Sequence, residues 1–398
     1  MANSSTVRWR SVWFSWGAAW AGLGCLLFLG GCVSHSLPRE KAEARYQAAL
    51  ALEQDGASDK KVEKALLQAM AADPVYAPPH NALGQFWTKR QLRSREEIVA
   101  EYETAIRLDP NLVAAHANLA AALAGHDDAA ADRAVSRAIE LAPDDGWLWE
   151  LRASIRQNRG LSGESLADYT RAIELQPERV QSWLGRSQVK RDRKDLAGAI
   201  ADVTQAIELQ PEEAAFHFMR GKQLEEKGDL VAALADYDWC VQKDPPNPAY
   251  HMAAGSVRYL LGDFEGALAD FKYMETAPAS HAAYGGFWSH LLRLRLSQPA
   301  EPADLKLGLD EGADPWTRTV AKFLNGELDE FTLLDAATTG DKAAVKRQRG
   351  EAFYYAGMMR LVNHDPAGAR KRFTSCVETG ARELVEYKFA QAELGRRH

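Results

Sequence analysis

Side chains of like character recur along this chain with the spacing of amphipathic helices. In residues 180–213 they fall on one face of each of two segments, at i, i+3, i+4 and i+7. The first face carries Trp183, Arg186, Ser187 and Val189, and the second carries Ala199, Val203, Ala206, Ile207 and Leu209. A polar turn at 193–195 separates the segments, and Pro211 ends the second. The pattern predicts a helix pair in a unit of 34 residues.

The same unit recurs from residue 43 to residue 281. Its second helix ends in related phrases, which are AMAADP, AIRLDP, AIELAP, AIELQP twice and CVQKDP. We place seven units at 43–76, 77–112, 113–145, 146–179, 180–213, 214–247 and 248–281. An aromatic residue near the start, small residues where the helices cross and a closing proline resemble the tetratricopeptide repeat. This resemblance implies an all-α fold, a right-handed superhelical solenoid of helix-turn-helix repeats.

The pattern weakens after the seventh unit and returns near the end of the chain. Residues 297–314 contain prolines and acidic residues, so we expect an irregular helical insert at 282–349. Residues 350–398 predict a last tetratricopeptide-like unit followed by a capping helix. That helix would present Val385 and Phe389 to the unit before it and would cover the open end of the solenoid.

The N-terminal segment 1–31 predicts a signal peptide and not part of the fold. It has two arginines, then an apolar run, and residues 29–32 read Leu-Gly-Gly-Cys. This tetrad resembles the lipobox of bacterial lipoproteins, which implies cleavage before Cys32 and acylation of that cysteine. Residues 32–42 would then form a lipidated tether. The alternative is an uncleaved anchor helix, because the apolar run is nearly long enough to span a bilayer.

The net charge of the protein bears on the class of its partner. The residue that follows Cys32 bears on the membrane in which the protein would be anchored. Loss of the signal peptide, which has two arginines and no acidic residue, takes the formal net charge from −7 to −9. An acidic protein argues against nucleic acid as the main partner. Val33 occupies the position where an aspartate favours inner-membrane retention in enterobacteria. For a Gram-negative envelope we therefore expect an outer-membrane lipoprotein that faces the periplasm.

Four histidines invite a metal-binding interpretation. They share the fourth position of their units, and they are His80, His116, His217 and His251. Stacked first helices stand roughly 10 Å apart, too far for a shared ion with bonds of about 2 Å. We therefore expect flat rings that fill the interior seam of the array.

Other candidate chemistry is weak. His126, Asp127 and Asp128 share one turn, which a solvated loop explains equally well. Ser187 follows a glycine as in a nucleophile elbow, but the second glycine and the strand are missing. Cys240 and Cys376 share a small interior position, which predicts buried thiols. No HExxH, CxxC or Walker sequence is present, so we expect no enzyme, metal or cofactor.

The positive signal is a surface on the first helices, whose second, fifth, ninth and twelfth positions line the concave groove of tetratricopeptide arrays. The expected partner-binding residues are Trp147, Gln181, Leu184, Gln188, Phe218, Lys222, Met252 and Tyr259. Leu184, Phe218 and Met252 share the fifth position and form an apolar stripe with no expected interior packing role. Such a stripe suits a peptide-binding groove. The alternative is that another segment, such as 297–349, folds back over it.

The end of the chain carries a more specific resemblance. Its sequence is AFYYAG at 352–357, Thr-Gly at 379–380 and Val-Glu-Tyr at 385–387. Together with the lipobox and the repeats, it resembles the NlpI-like tetratricopeptide lipoproteins of bacterial envelopes. The implied role is a membrane-anchored, non-catalytic adaptor, often dimeric, that brings periplasmic proteases and peptidoglycan hydrolases together. The alternative is a pilotin or an assembly factor of a secretion or outer-membrane complex.

Overall fold

A computed structural model of the chain describes residues 36–274 and 279–396. Within these two stretches the regular structure is helical and includes no strand, which confirms the all-α prediction. No helix in them is long and apolar enough to cross a membrane. The predicted signal peptide, Cys32 and the first residues of the predicted tether lie outside the described residues.

Twenty-one helices follow one another in the described chain. The first fourteen are α1 Ser36–Gln54, α2 Asp59–Ala72, α3 Ala77–Arg90, α4 Arg95–Leu108, α5 Val113–Leu123, α6 Asp128–Leu141, α7 Gly146–Asn158, α8 Ser162–Leu175, α9 Val180–Asp192, α10 Leu196–Leu209, α11 Ala214–Lys227, α12 Leu230–Lys243, α13 Pro248–Leu261 and α14 Phe264–Tyr273. The remaining seven are α15 Ala279–Arg295, α16 Pro302–Leu309, α17 Pro315–Leu324, α18 Glu330–Ala336, α19 Lys342–Val362, α20 Pro366–Glu378 and α21 Val385–Gly395.

Consecutive helices pack as pairs, and each pair packs on the next, from α1 and α2 to α13 and α14. The stack continues through α15, α16 and α17 to the pair α19 and α20. Segment 282–349 is thus helical over most of its length. Its two boundaries fall inside α15 and α19, and the boundary at residue 43 falls inside α1. The repeat signature marks only the packed part of each helix, whereas caps such as Asp341, which accepts from the Ala344 N–H at 2.8 Å, set its true start.

Aspartates and glycines define the ends of several helices. Asp195 and Asp263 are N-caps of α10 and α14, and each accepts a hydrogen bond of 2.9 Å from the backbone N–H three residues later. Gly228 and Gly262 follow α11 and α13 with φ of 90° and 89°. A residue with a side chain rarely adopts this backbone conformation, so glycine ends the first helices sharply and lets the chain reverse.

Small residues set the close crossing within each pair. Gly84, Gly221 and Gly357 each face an aromatic ring of the second helix of their own pair, and a Cβ would lie 2.6 Å from that ring. The unit at 180–213 has a serine at this position, and the Ser187 Oγ donates to the Ala199 carbonyl at 2.9 Å. The side chain is buried. Ser187 is therefore a packing residue, as expected from its place in the repeat.

A ladder of ion pairs runs through the middle repeats. Arginines on first helices bind aspartates sixteen residues later with two hydrogen bonds each. The pairs are Arg152 with Asp168, Arg186 with Asp202 and Arg220 with Asp236. The carboxylates are buried and the guanidinium groups are half-buried. These bidentate pairs fix the register of the two helices in each repeat.

Candidate protein-binding groove

A cavity of about 550 Å³ opens on the face formed by the first helices α11 and α13. The C-terminal helix α21 forms its opposite wall. The apolar lining includes Phe218 of α11, Met252 and Leu260 of α13, and Val385 and Phe389 of α21. Small-molecule and peptide pockets typically enclose about 300–1,000 Å³, so this cavity has room for one or two partner side chains.

Polar groups at the cavity are few and placed apart. The Lys388 ammonium lies 2.6 Å from the Glu225 carboxylate and joins α21 to α11. The exposed Lys222 has no ion pair within the described chain, and its ammonium lies 5.6 Å from the centre of the Phe218 ring. The Ser256 Oγ is buried without a hydrogen-bond partner among the described residues. An entering ligand would therefore meet an apolar wall, the Lys222 ammonium, the unsatisfied Ser256 hydroxyl and the exposed Glu383 carboxylate.

Three of the predicted partner-binding residues line this cavity together, namely Phe218, Lys222 and Met252. The apolar stripe is half-buried, and its members pack against buried core clusters: Leu184 on the core around Val203, and Phe218 and Met252 on the cores that follow. The expectation that the stripe has no interior packing role is therefore wrong. Part of each side chain packs against the core. Another part of the Phe218 and Met252 side chains faces the cavity.

Four predicted residues lie on α7 and α9, outside the cavity lining. Trp147 is half-buried against the core of its repeat. Gln181 is exposed. Gln188 is half-buried and donates to the Asp192 carboxylate at 2.9 Å within the same helix. Together with Leu184 they extend the candidate surface along the array, away from α21.

Tyr259 is not a surface residue, so its assignment to the partner-binding set is wrong. Its side chain is 1% exposed, and its ring stacks on Phe389 of α21 with 3.9 Å between ring centres. The phenol donates to the Glu393 carboxylate at 2.9 Å. Burial raises the pKa of Tyr259 far above its usual value. The physical reason is that α21 covers the end of α13.

The concave face is covered in part, but by a different segment from the one considered above. Helix α21 packs on α19 and α20, as its apolar pattern predicts, and it also contacts α13. The Arg396 guanidinium donates to the backbone carbonyls of Tyr259, at 2.5 Å, and Leu260, at 3.1 Å. Phe389 is 1% exposed, so α21 is packed closely against this face.

Several cavity residues were not predicted. Val385 and Phe389 were assigned to packing against the last unit, and nothing in their spacing indicates that they also reach α13. Lys388 carries no motif that would mark it as a lining residue. Ser256, in contrast, was expected in the groove because it is the ninth residue of the unit at 248–281. The ion pair of Lys388 with Glu225 joins residues 163 apart, a separation that no local pattern reports. The folding of the whole solenoid brings these groups together.

The fourth-position histidines lie in the interior seam. His116, His217 and His251 are buried, which confirms the packing interpretation for these three. Each places Nε2 near a proline carbonyl six residues earlier, at 2.9, 3.3 and 2.8 Å respectively. His80 is half-buried with Nδ1 2.7 Å from Glu101.

The turn of His126 and the two cysteines have structural roles. Asp127 caps α6 by accepting from the Ala130 N–H at 2.9 Å, and Asp128 accepts from the Gly125 N–H at 2.6 Å. Cys240 and Cys376 are buried free thiols, as expected, and burial raises the pKa of Cys240 to about 11. Within residues 36–274 and 279–396, no three histidine, cysteine or acidic side chains are grouped so as to hold a metal ion.

Comparison with known proteins identifies the repeats. The family model for the tetratricopeptide repeat matches residues 151–214, 190–248 and 218–282, the part of the chain that carries the ion-pair ladder and most of the cavity. No curated protein matches the chain. The tetratricopeptide-repeat fold supports a protein or a peptide as the binding partner.

Solved structures with a similar helical arrangement have low identity to this chain. PilF of Pseudomonas aeruginosa has 17% identity and a TM-score of 0.43, over 50% of this chain and 90% of its own. A tetratricopeptide repeat protein from Parabacteroides merdae has 14% identity and a TM-score of 0.46, over 62% of this chain and 99% of its own. PilW, a type IV pilus biogenesis factor, has 14% identity and a TM-score of 0.47, over 52% of this chain and 94% of its own. Residues 151–282 therefore contain tetratricopeptide repeats, and the packing of helix pairs on one another continues on both sides of this part of the chain.

Proposed function

We propose that this protein is a non-catalytic adaptor that binds a partner protein of the cell envelope on its concave face. The observation that carries this proposal is the cavity framed by α11, α13 and α21. Its apolar walls would bury an aliphatic or aromatic side chain of the partner, which contributes about 25 cal/mol per Å² of apolar surface removed from water. A concave array leaves the neighbouring surface of α7 and α9 open to the rest of the bound segment.

The polar groups supply orientation for such a segment. Lys222 would pair with an acidic side chain or a carboxylate of the partner, because it has no ion pair of its own in the described chain. Ser256 would accept from or donate to the partner's backbone. Gln181 and Gln188 on α9 provide further amides for the same purpose. An apolar anchor with a few hydrogen bonds around it is the usual composition of a peptide site.

The proposed location is the outer membrane, with the protein anchored by an acylated Cys32 and facing the periplasm. This follows from the lipobox-like tetrad and from Val33 after it. Several acyl chains on one cysteine hold a protein stably on a bilayer, whereas a single chain is marginal. The proposed partners are envelope proteins, such as periplasmic proteases and peptidoglycan hydrolases, in keeping with the NlpI-like resemblance of the C-terminal block.

The test is crosslinking of the full-length protein in its own cells, followed by mass spectrometry of its partners and of its N-terminus. Phe218→Asp and Lys222→Glu should each reduce partner recovery at least tenfold, because one places a charge in the apolar wall and the other reverses the unpaired ammonium. Lys222 is exposed, so its variant tests the site without disturbing the core.

The matched control is Val231→Asp on α12, where the side chain is 71% exposed and lies outside the cavity lining. It should recover partners as the wild type does. Equal recovery from Lys222→Glu and wild type would overturn the concave site. An unmodified N-terminus would overturn the anchored location. Recovery of a secretin or another outer-membrane complex, without proteases or hydrolases, would replace these partners by the assembly-factor role.

A further inference from the structure

A second groove, of about 400 Å³, lies between α19 and α20. Its α19 wall carries Lys342, Lys346, Arg349 and Phe353, at spacings of four, three and four residues that place them on one helix face. This face extends for about 16 Å along α19. The opposite wall consists of Ser375, Glu378 and Thr379 near the end of α20.

The groove is positively charged in a protein that is acidic as a whole. Lys342, Lys346 and Arg349 are exposed, and none of them forms an ion pair within the described chain. The neighbouring Arg372, in contrast, is bound to Glu330, with its Nε 2.6 Å from the carboxylate. Three cations face one carboxylate, Glu378, in the lining, whereas the chain carries a formal net charge of −7. The cations are therefore available to an external anion.

The groove also contains an aromatic contact. Phe353 is half-buried, and the Arg349 and Arg372 guanidinium groups lie 5.7 and 6.0 Å from the centre of its ring. Both guanidinium groups lie within the distance at which cation–π attraction to the ring acts. A ligand that combines negative charge with an apolar side chain would match both features.

We propose that this groove is a second binding site, which takes an acidic segment of a partner protein. Glutamate or aspartate side chains of the segment would pair with Lys342, Lys346 and Arg349, and an apolar side chain between them would contact Phe353. About five extended residues, at roughly 3.3 Å each, match the length of the cationic face. The site is distinct from the cavity on α11 and α13, because the two linings share no residue.

The geometry favours a peptide over the other large anions. A membrane surface is broad, whereas these cations line a groove with a wall on each side. A nucleic acid carries a phosphate at every step and would meet Glu378 on the α20 wall, whereas a peptide can place a neutral or basic residue there. The aromatic ring adds an apolar contact that a run of phosphates does not use.

The test measures binding of a defined probe to the full-length protein. The probe is a fluorescent peptide of alternating glutamate and leucine. Fluorescence anisotropy should show saturable binding that weakens when sodium chloride rises from about 50 mM to about 300 mM, because exposed charges are screened. The double variant Lys346→Glu/Arg349→Glu should raise the Kd about tenfold or more, since it turns two attractions into repulsions. The same peptide with glutamine in place of glutamate should bind at least tenfold more weakly than the acidic one.

The matched control is Lys60→Glu/Lys64→Glu on α2, two exposed lysines that lie one helical turn apart and have no ion pair in the described chain. It makes the same change in net charge and should leave the Kd unchanged. Phe218→Asp should also leave it unchanged, which separates this site from the proposed adaptor cavity. An equal loss in both double variants would overturn the proposal. So would binding of vesicles containing phosphatidylglycerol, or of oligothymidine, that exceeds binding of the acidic peptide and is lost in Lys346→Glu/Arg349→Glu.

Discussion

Two buried glutamates of the C-terminal core, Glu351 and Glu386, have raised pKa values. Each accepts one hydrogen bond from a tryptophan and one from a tyrosine; the donors are Trp316 and Tyr284 for Glu351, and Trp288 and Tyr355 for Glu386. Burial raises the pKa of both carboxyls, and the charge of Glu351 raises the pKa of Glu386 further, to about 7. Glu386 therefore changes charge near neutral pH while it is inside the protein.

We expect this to make the fold less stable as the pH rises from about 5 to about 7. The folded-state pKa of Glu386 lies above its unfolded value of 4.5, so the folded protein holds a proton that the unfolded chain has lost in this range. The effect is on the order of 2–3 kcal/mol. Glu386→Gln, which cannot titrate, should flatten the slope of urea-derived stability between these pH values. An unchanged slope would show that Glu386 does not control it.

At the scale of elements, the repeats at 146–179, 180–213 and 214–247 are each held by an arginine–aspartate ion pair with a buried carboxylate. In the unit at 214–247, Asp236 accepts from Arg220 at 2.7 and 2.8 Å and lies 3.1 Å from His217 Nδ1. Asp236→Ala leaves Arg220 without its partner inside a helix pair, and breaking such a pair costs about 3–5 kcal/mol. Glu212→Ala removes an exposed pair with Lys243 and should cost about 1 kcal/mol or less. Urea unfolding of both variants compares them directly, and similar losses would contradict a special role for the ladder.

The helix pairs are the part of this fold that the sequence predicts well. A pair is stabilised by residues at most 34 positions apart, so a repeating pattern of small and apolar residues, such as Gly221 opposite Tyr237, reports it directly. The lining of the cavity depends on contacts of much longer range. Phe218 and Met252 were predicted from their repeat position, but Lys388 and Val385 reach the cavity only because α21 returns to α13. The misassignment of Tyr259 has the same cause.

At the scale of the whole molecule, the last helix, α21, packs back against the much earlier helix α13. A solenoid normally gains stability only from contacts between neighbouring repeats. Here Phe389 of α21 stacks on Tyr259, and the Tyr259 phenol binds Glu393, which joins residues 134 apart. The segment from α13 to α21 shares one hydrophobic core, whereas the earlier repeats have separate smaller ones. We therefore expect α13 to α21 to unfold as one cooperative unit.

Hydrogen exchange of the variant Phe389→Ala tests this expectation. Loss of a ring that is 1% exposed should cost about 3–5 kcal/mol. Amide exchange should accelerate in α13 as well as in α19, α20 and α21, because the ring contributes to all their packing, while α1 to α8 should exchange as in the wild type. The control Phe331→Ala removes a ring that is 78% exposed and should change stability by about 0.5 kcal/mol or less. If exchange accelerated only in α19, α20 and α21, the contact with α13 would be too weak to close the array, and α21 would be a detachable wall of the groove.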